Sequence, residues 1–161
     1  MKTEKNRTEI RSMKSGKKSW TEKLLDPNKQ PEIKKIEKDF ADIPAGARML
    51  IATPQIIDSY VKQIPKGKSV SLQTMRNDLA QEYSAEYTCP VTSGIFLRIV
   101  AEAAHEQWKS GKALNKITPF WRVVASQSPL NKKLTFGADF VEEQRRKEKL
   151  DDSDQKARQK K

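Results

Sequence analysis

Three one-sided apolar stripes, crowded between residues 53 and 111 and separated by short turns bearing Pro, Gly or Ser, constrain this chain more than any other feature. Thr53-Pro54 pairs an N-cap with proline at the first helical position, and Ile56, Ile57, Tyr60, Val61 and Ile64 then recur at helical spacing. Pro65-Lys66-Gly67-Lys68 ends that helix in a basic turn. Ser71 caps a second helix with Leu72, Met75, Leu79 and Tyr83 on one face. After a turn from Ser84 to Cys89, Pro90 opens a third helix of about five turns. Its stripe is Val91, Ile95, Ile99 and Ala103, with Phe96, Val100 and Ala104 beside it and Gly111 as its stop. A helix followed by two more joined through a short turn is the helix-turn-helix pattern.

The flanks read differently. Met49-Leu50-Ile51-Ala52 is a strand-compatible run before the first stripe. Beyond the third, Thr118-Pro119-Phe120-Trp121-Arg122-Val123-Val124 is aromatic and β-branched without helical periodicity, so it predicts a strand entered through a proline. Leu134-Thr135-Phe136 is expected to return as its partner, a wing carrying Lys132 and Lys133. A last helix follows Gly137 through Phe140, Val141 and Gln144 to Leu150. The expected fold is mainly α with a small β-hairpin, a winged helix-turn-helix domain over residues 40–150.

The ends are the polar part of the chain. Residues 1–39 hold 12 basic and 7 acidic groups, and Met1 to Lys18 has too few apolar residues to offset the entropy of ordering. That stretch is expected to be disordered, as is the charged tail 151–161. Between them, Ser19-Trp20-Thr21-Glu22 matches a capping box and predicts a short helix near residues 20–25, and Asn28 to Asp39 reads as a charged linker.

Several function classes are excluded or weakened by counting. One cysteine, Cys89, and one histidine, His105, supply neither an internal disulfide nor an imidazole pair for a transition metal. No cofactor or metal is therefore expected, and a reducing compartment is. No apolar run reaches about 18 residues, and the N-terminus lacks a secretory apolar core, so a cytoplasmic protein without membrane partners is expected. There is no Gly-rich phosphate loop. Cys89 reads as a small apolar residue in a turn and His105 as a helix-face residue, neither with a sequence-local catalytic partner. The formal net charge is +11, but residues 40–140 hold 12 basic against 8 acidic groups, a surplus that scattered solubilising charge also explains. What favours nucleic acid is the arrangement of the basic turn, the polar start of the third helix and the basic wing on one side.

The order of elements and several local strings resemble the C-terminal DNA-binding domain of the O6-alkylguanine-DNA alkyltransferases and of the non-catalytic alkyltransferase-like proteins, over about residues 49–150. The anchor is Thr118-Pro119-Phe120-Trp121-Arg122-Val123-Val124-Ala125-Ser126, similar to the family's Pro-Cys-His-Arg-Val-Val segment followed by a small residue and Ser. The turn and helix from Lys66 to Leu79, the helix from Pro90, and Gly137 with its basic helix support it. Phe120 stands at the acceptor cysteine and Trp121 at the histidine after it, so the alkyl-transfer chemistry is not implied. Leu72 stands at the tyrosine that helps rotate the target nucleotide, and the arginine that fills the vacated stack falls near Thr92 or Ser93.

What the resemblance implies is a non-enzymatic protein that binds duplex DNA, damaged duplex included, with the helix from Pro90 in the minor groove. Thr92 and Ser93 would donate to phosphate or sugar, Lys66, Lys68, Lys132 and Lys133 would position the backbone, and Arg76, Arg98 and Arg122 complete the basic set. Phe120 and Trp121 would line the pocket for an extruded base and are expected to close it rather than stack on the base. The alternative is a protein-interaction module that keeps the fold without nucleic-acid binding; it predicts an exposed apolar patch involving Trp20 or Trp108.

Overall fold

The structure, a computed structural model, describes residues 18–150; the disorder expected of the two ends falls, Lys18 apart, outside that range. The described chain is mainly helical with a small three-stranded sheet. Helix α1 (Trp20–Leu24) comes first, followed by strands β1 (Glu32–Lys35) and β2 (Arg48–Ile51). Helices α2 (Pro54–Lys62) and α3 (Leu72–Glu82), strand β3 (Tyr87–Thr88) and the long α4 (Pro90–Lys109) form the middle of the chain. Two 3-10 turns, Leu114–Lys116 and Phe120–Arg122, precede α5 (Pro129–Lys133) and α6 (Asp139–Lys147).

The local signals act as their chemistry dictates. Thr53 and Ser71 each accept the amide of the residue three positions on, capping α2 and α3, and Pro54 occupies the first turn of α2. Ser19 and Glu22 close the capping box of α1 in both directions. Gly67, Gly111 and Gly137 take positive φ at three turns, the conformation that glycine adopts without strain.

α4 is the central element, with α1, α2, the Phe120–Arg122 turn and α6 arranged around it. Ile57, Val61, Met75, Leu79, Leu97, Val100 and Ala101 are completely or almost completely buried at the contacts of α2, α3 and α4. Each such aliphatic side chain contributes roughly 1.5–3 kcal/mol by leaving water. α1 is anchored through Glu106, which accepts the Trp20 and Thr21 amides at 3.2 and 3.1 Å and the Thr21 hydroxyl at 2.8 Å. It therefore belongs to the same folded unit.

Three expectations are corrected. The Asn28 to Asp39 segment contains β1, paired antiparallel with β2 in the register Ile33 to Leu50, so the folded unit begins well before residue 40. Every β1 side chain is exposed, so the strand rests on backbone pairing and leaves no hydrophobic trace in the sequence. The Ser84 to Cys89 turn contains β3, which pairs parallel with β2 and threads the sheet between α3 and α4.

The predicted hairpin over 118–136 is absent. Phe120, Trp121, Val123 and Val124 are all buried, whereas a two-sided strand would send alternate side chains outward. A tight 3-10 turn satisfies that demand, with the Val123 and Val124 amides both donating to the Phe120 carbonyl. Thr118 fixes its entrance by donating to buried Asp58 of α2 at 2.6 Å. Lys132 and Lys133 lie in the last turn of α5, which Ser128 caps, and not on a wing.

Candidate nucleic-acid interface

The first half of α4 presents an open face. Val91 and Ile95, one turn apart, are 53% and 52% exposed, and a side chain added at Gly94 between them would meet nothing. The core-facing side of the same turns carries Ser93, Phe96, Leu97 and Val100. α4 is thus apolar on two sides and only one of them is covered. The uncovered side borders a groove of about 720 Å³ running from Trp20 of α1 across α4 to Pro129 and Leu130 of α5, with Leu72, Val123 and Val124 in its lining.

Its position is fixed by the turn before it. Arg76, 7% exposed, donates Nε to the Thr88 carbonyl at 3.1 Å, while the Thr88 hydroxyl donates to the Arg76 carbonyl at 2.7 Å. Asp42 accepts the other end of the guanidinium at 3.1 Å, and that pairing holds the Asp42 carboxyl below its ordinary range. The Cys89 amide donates to Leu50 of β2, so α4 starts directly from the sheet.

The residues predicted to touch DNA divide into two groups. Lys66, Lys68, Lys132 and Lys133 are exposed, and Lys133 borders the groove. The others are occupied or covered. Arg76 is the turn clamp just described. Arg122 lies in an ion pair with Glu148 at 2.9 Å and donates to the Ile64 carbonyl at 2.7 Å. Ser93 is fully buried and donates to the Cys89 carbonyl at 2.6 Å, so it has no hydroxyl left for a phosphate. Thr92 is partly buried, and its hydroxyl oxygen has no hydrogen-bond partner. Arg98 borders the groove, 3.6 Å from Glu102 and over the Trp20 ring.

Phe120 and Trp121 are 0% and 4% exposed. Phe120 lies edge-on to Trp121 and Phe136 and stacks on Phe140, with ring centroids 5.4–5.8 Å apart. The aromatic pair fills its site, and the groove lies beside it rather than inside it. Glu148 locks the arrangement by accepting Trp121 Nε1 at 2.6 Å, Arg122 Nε at 2.9 Å and the Gly67 amide at 3.1 Å. Burial alone would raise the Glu148 carboxyl, but these donors outweigh it and hold it below its ordinary range. Arg145, almost wholly buried, donates to the Trp121 carbonyl at 2.6 Å.

The chemical candidates have structural surroundings. Cys89 is buried in the turn before α4. His105 stacks on Phe136 with centroids 3.9 Å apart, and burial and then Lys109 push its pKa down against a smaller upward pull from Glu102. A polar depression of about 390 Å³ lies elsewhere, beside Lys29, Gln55 and Tyr83. Tyr60 borders it and donates to Asp78; burial and then that carboxylate raise the phenol well above its ordinary range. Among the described residues, no group of three or more His, Cys, Asp or Glu side chains could hold a metal, and no helix is long and apolar enough to cross a membrane.

Sequence reasoning missed Arg145 in the highly charged α6 and Glu148 directly after it, neither with any local sign of burial. It also read Val91 and Ile95 as one stripe with Ile99 and Ala103, without separating a covered face of the helix from an open one. The available signal was the breadth of the stripe, since α4 carries more apolar residues in its first three turns than one core face can cover. Comparison with protein-family models, curated proteins and solved structures finds no match.

Proposed function

We propose that this chain is a non-enzymatic DNA-binding protein of the winged helix-turn-helix kind that the alkyltransferase-like group represents, with α4 entering the minor groove of duplex DNA. The small sheet β1–β3, not residues 118–136, is its strand element. The observation that carries the reading is the uncovered first half of α4, with an apolar pair and an open glycine at its surface. Minor-groove binders use such apolar side chains as wedges against base steps. Lys66, Lys68, Lys132 and Lys133 supply the phosphate contacts, which position the protein without reading sequence. Arg76 and Arg122 act at one remove by holding the turn and the neighbouring loop. The reading contains no covalent step, since Phe120 offers no nucleophile, and it places the protein in the cytoplasm.

A salt series of duplex binding tests it. Replacing Lys66, Lys68, Lys132 and Lys133 with Ala is expected to weaken binding uniformly across sequences and to flatten the plot of log affinity against log salt by roughly 0.9 for each phosphate contact removed. Because the aromatic pair is closed, preference for an alkylated duplex is expected to be on the order of 1 kcal/mol or less. No binding at low salt, or an unchanged slope, overturns the reading. A hundredfold preference for alkylated DNA contradicts the closed pocket.

A second reading, the protein-interaction module, is favoured by one observation, the apolar lining of the groove beside α4.

A further inference from the structure

The groove combines an apolar floor with a rim of a single charge. Leu72, Leu97, Ile99, Val123, Val124 and Leu130 are among its lining, and among the described residues the charged ones that line it are Lys23, Arg98 and Lys133. Among the described residues, no Asp or Glu lines it. Among the described residues, the Nε of Arg98 has no hydrogen-bond partner and lies 3.6 Å from Glu102. Glu102, the carboxylate nearest to it, already accepts the Thr135 amide and hydroxyl at 2.9 and 2.6 Å. The Arg98 side chain, 34% exposed, therefore presents its guanidinium beside an apolar trough while its nearest carboxylate, 3.6 Å away, is shared with Thr135.

We propose that this groove docks a short amphipathic helix of a partner protein, apolar on its inner face and carrying Asp or Glu where it meets Arg98, Lys23 and Lys133. Val91, Ile95, Arg98 and Ile99 fall at i, i+4, i+7 and i+8 of α4 and extend roughly 12 Å along its axis, two turns of a docked helix. Gly94 leaves the floor low between them. Recognition of a helix in a groove uses anchors at this spacing.

The charge of the rim selects among occupants. Residues 1–17 of the chain carry 6 basic and 2 acidic side chains and would meet like charge. Residues 151–161 carry 4 basic and 3 acidic side chains and offer no large apolar anchor. A second copy placed face to face would set the three cations against themselves. An acidic helix from another protein meets both the apolar and the charged requirement.

The proposal uses the face of α4 that the DNA reading also uses, so a docked helix and duplex DNA would compete for it, whereas Lys66 and Lys68 lie outside the groove and belong to the DNA reading alone. The full chain, used as bait against a random peptide library of roughly 15 residues, about four helical turns, tests it. Enriched peptides are expected to carry apolar residues at i, i+3 or i+4, and i+7, with Asp or Glu flanking them. Ile95→Glu is expected to weaken the best peptide roughly thirtyfold, as loss of a central apolar anchor does. Arg98→Gln is expected to weaken it about fivefold and to leave the peptide's Gln-for-Glu version unaffected.

Ile95 is half exposed, so the variant is expected to melt with the parent; if it does not, Val91→Glu takes its place. Replacing Lys66 and Lys68 by Ala is expected to change DNA affinity and not peptide affinity, which separates failure of one reading from failure of the other. Enrichment no greater than on the Ile95→Glu bait, enrichment of basic peptides, or indifference to Arg98→Gln overturns the proposal.

Discussion

Phe120→Ala is expected to destabilise the protein by about 3–5 kcal/mol, the usual cost of deleting a large aromatic ring from a close-packed interior. The ring is fully buried and meets Trp121, Phe136 and Phe140 at centroid distances of 5.4, 5.8 and 5.6 Å, so few neighbours can move into the space. Each lost aromatic pair adds a cost beyond area, about 0.5–1.5 kcal/mol. Domains of this size hold only about 5–15 kcal/mol in all, so the variant should lie near the edge of folding. Urea unfolding measures it. A loss below about 1 kcal/mol would mean that Phe120 faces an open pocket rather than a packed interior.

The second large effect is expected at Glu148. Its side chain is 7% exposed and gathers donors from Trp121, Arg122 and Gly67, three residues on two separate loops. Glu148→Ala leaves the Arg122 guanidinium, itself only 14% exposed, without its counter-charge, and a loss of about 3 kcal/mol is expected. The pH dependence has a definite sign. The folded carboxyl titrates below its ordinary value of 4.5, so the unfolded chain binds the proton more readily. The contribution is fully present above pH 4.5 and is lost as the pH falls from there through the folded value. Unfolding free energies of the parent and Glu148→Ala should therefore converge on acidification below 4.5. Parallel curves across that range would show that the carboxylate is not held by these donors.

The helical part of the fold was legible because its signals are local. Thr53, Ser71 and Ser19 each cap the helix that their position predicts, and the stripes of α2 and α3 face the core as their spacing requires. Of the strands, β2 was legible as the apolar run from Met49, and β1 and β3 were not. β1 is exposed on every side chain, and β3 is two residues long, so neither carries a periodic pattern. Residues 118–124 misled in the opposite way, since β-branched and aromatic residues favour strands intrinsically while the demand to bury Phe120, Trp121, Val123 and Val124 together was met by a tight turn. Context overrode propensity there.

The candidate interface was legible by halves for a similar reason. A lysine in a turn or a last helical turn stays in solvent wherever the rest of the chain goes, and Lys66, Lys68, Lys132 and Lys133 do so. An arginine's fate depends on distant partners. Asp42 lies 34 residues before Arg76 and Glu148 lies 26 after Arg122, so both guanidinium groups were taken by contacts that no local reading exposes. The open face of α4 was hidden in plain pattern, because a core stripe and a binding stripe share the same residue types.

The most direct test of the account is where duplex DNA touches the protein. Amide chemical-shift mapping of the full chain, titrated with a short duplex at low salt, should move Val91, Thr92, Gly94 and Ile95 at the start of α4 together with the Lys66–Lys68 turn and the Lys132–Lys133 end of α5. The account is contradicted if those amides stay fixed while the duplex binds, with the shifts falling on β1 or on the polar depression beside Tyr60 and Tyr83.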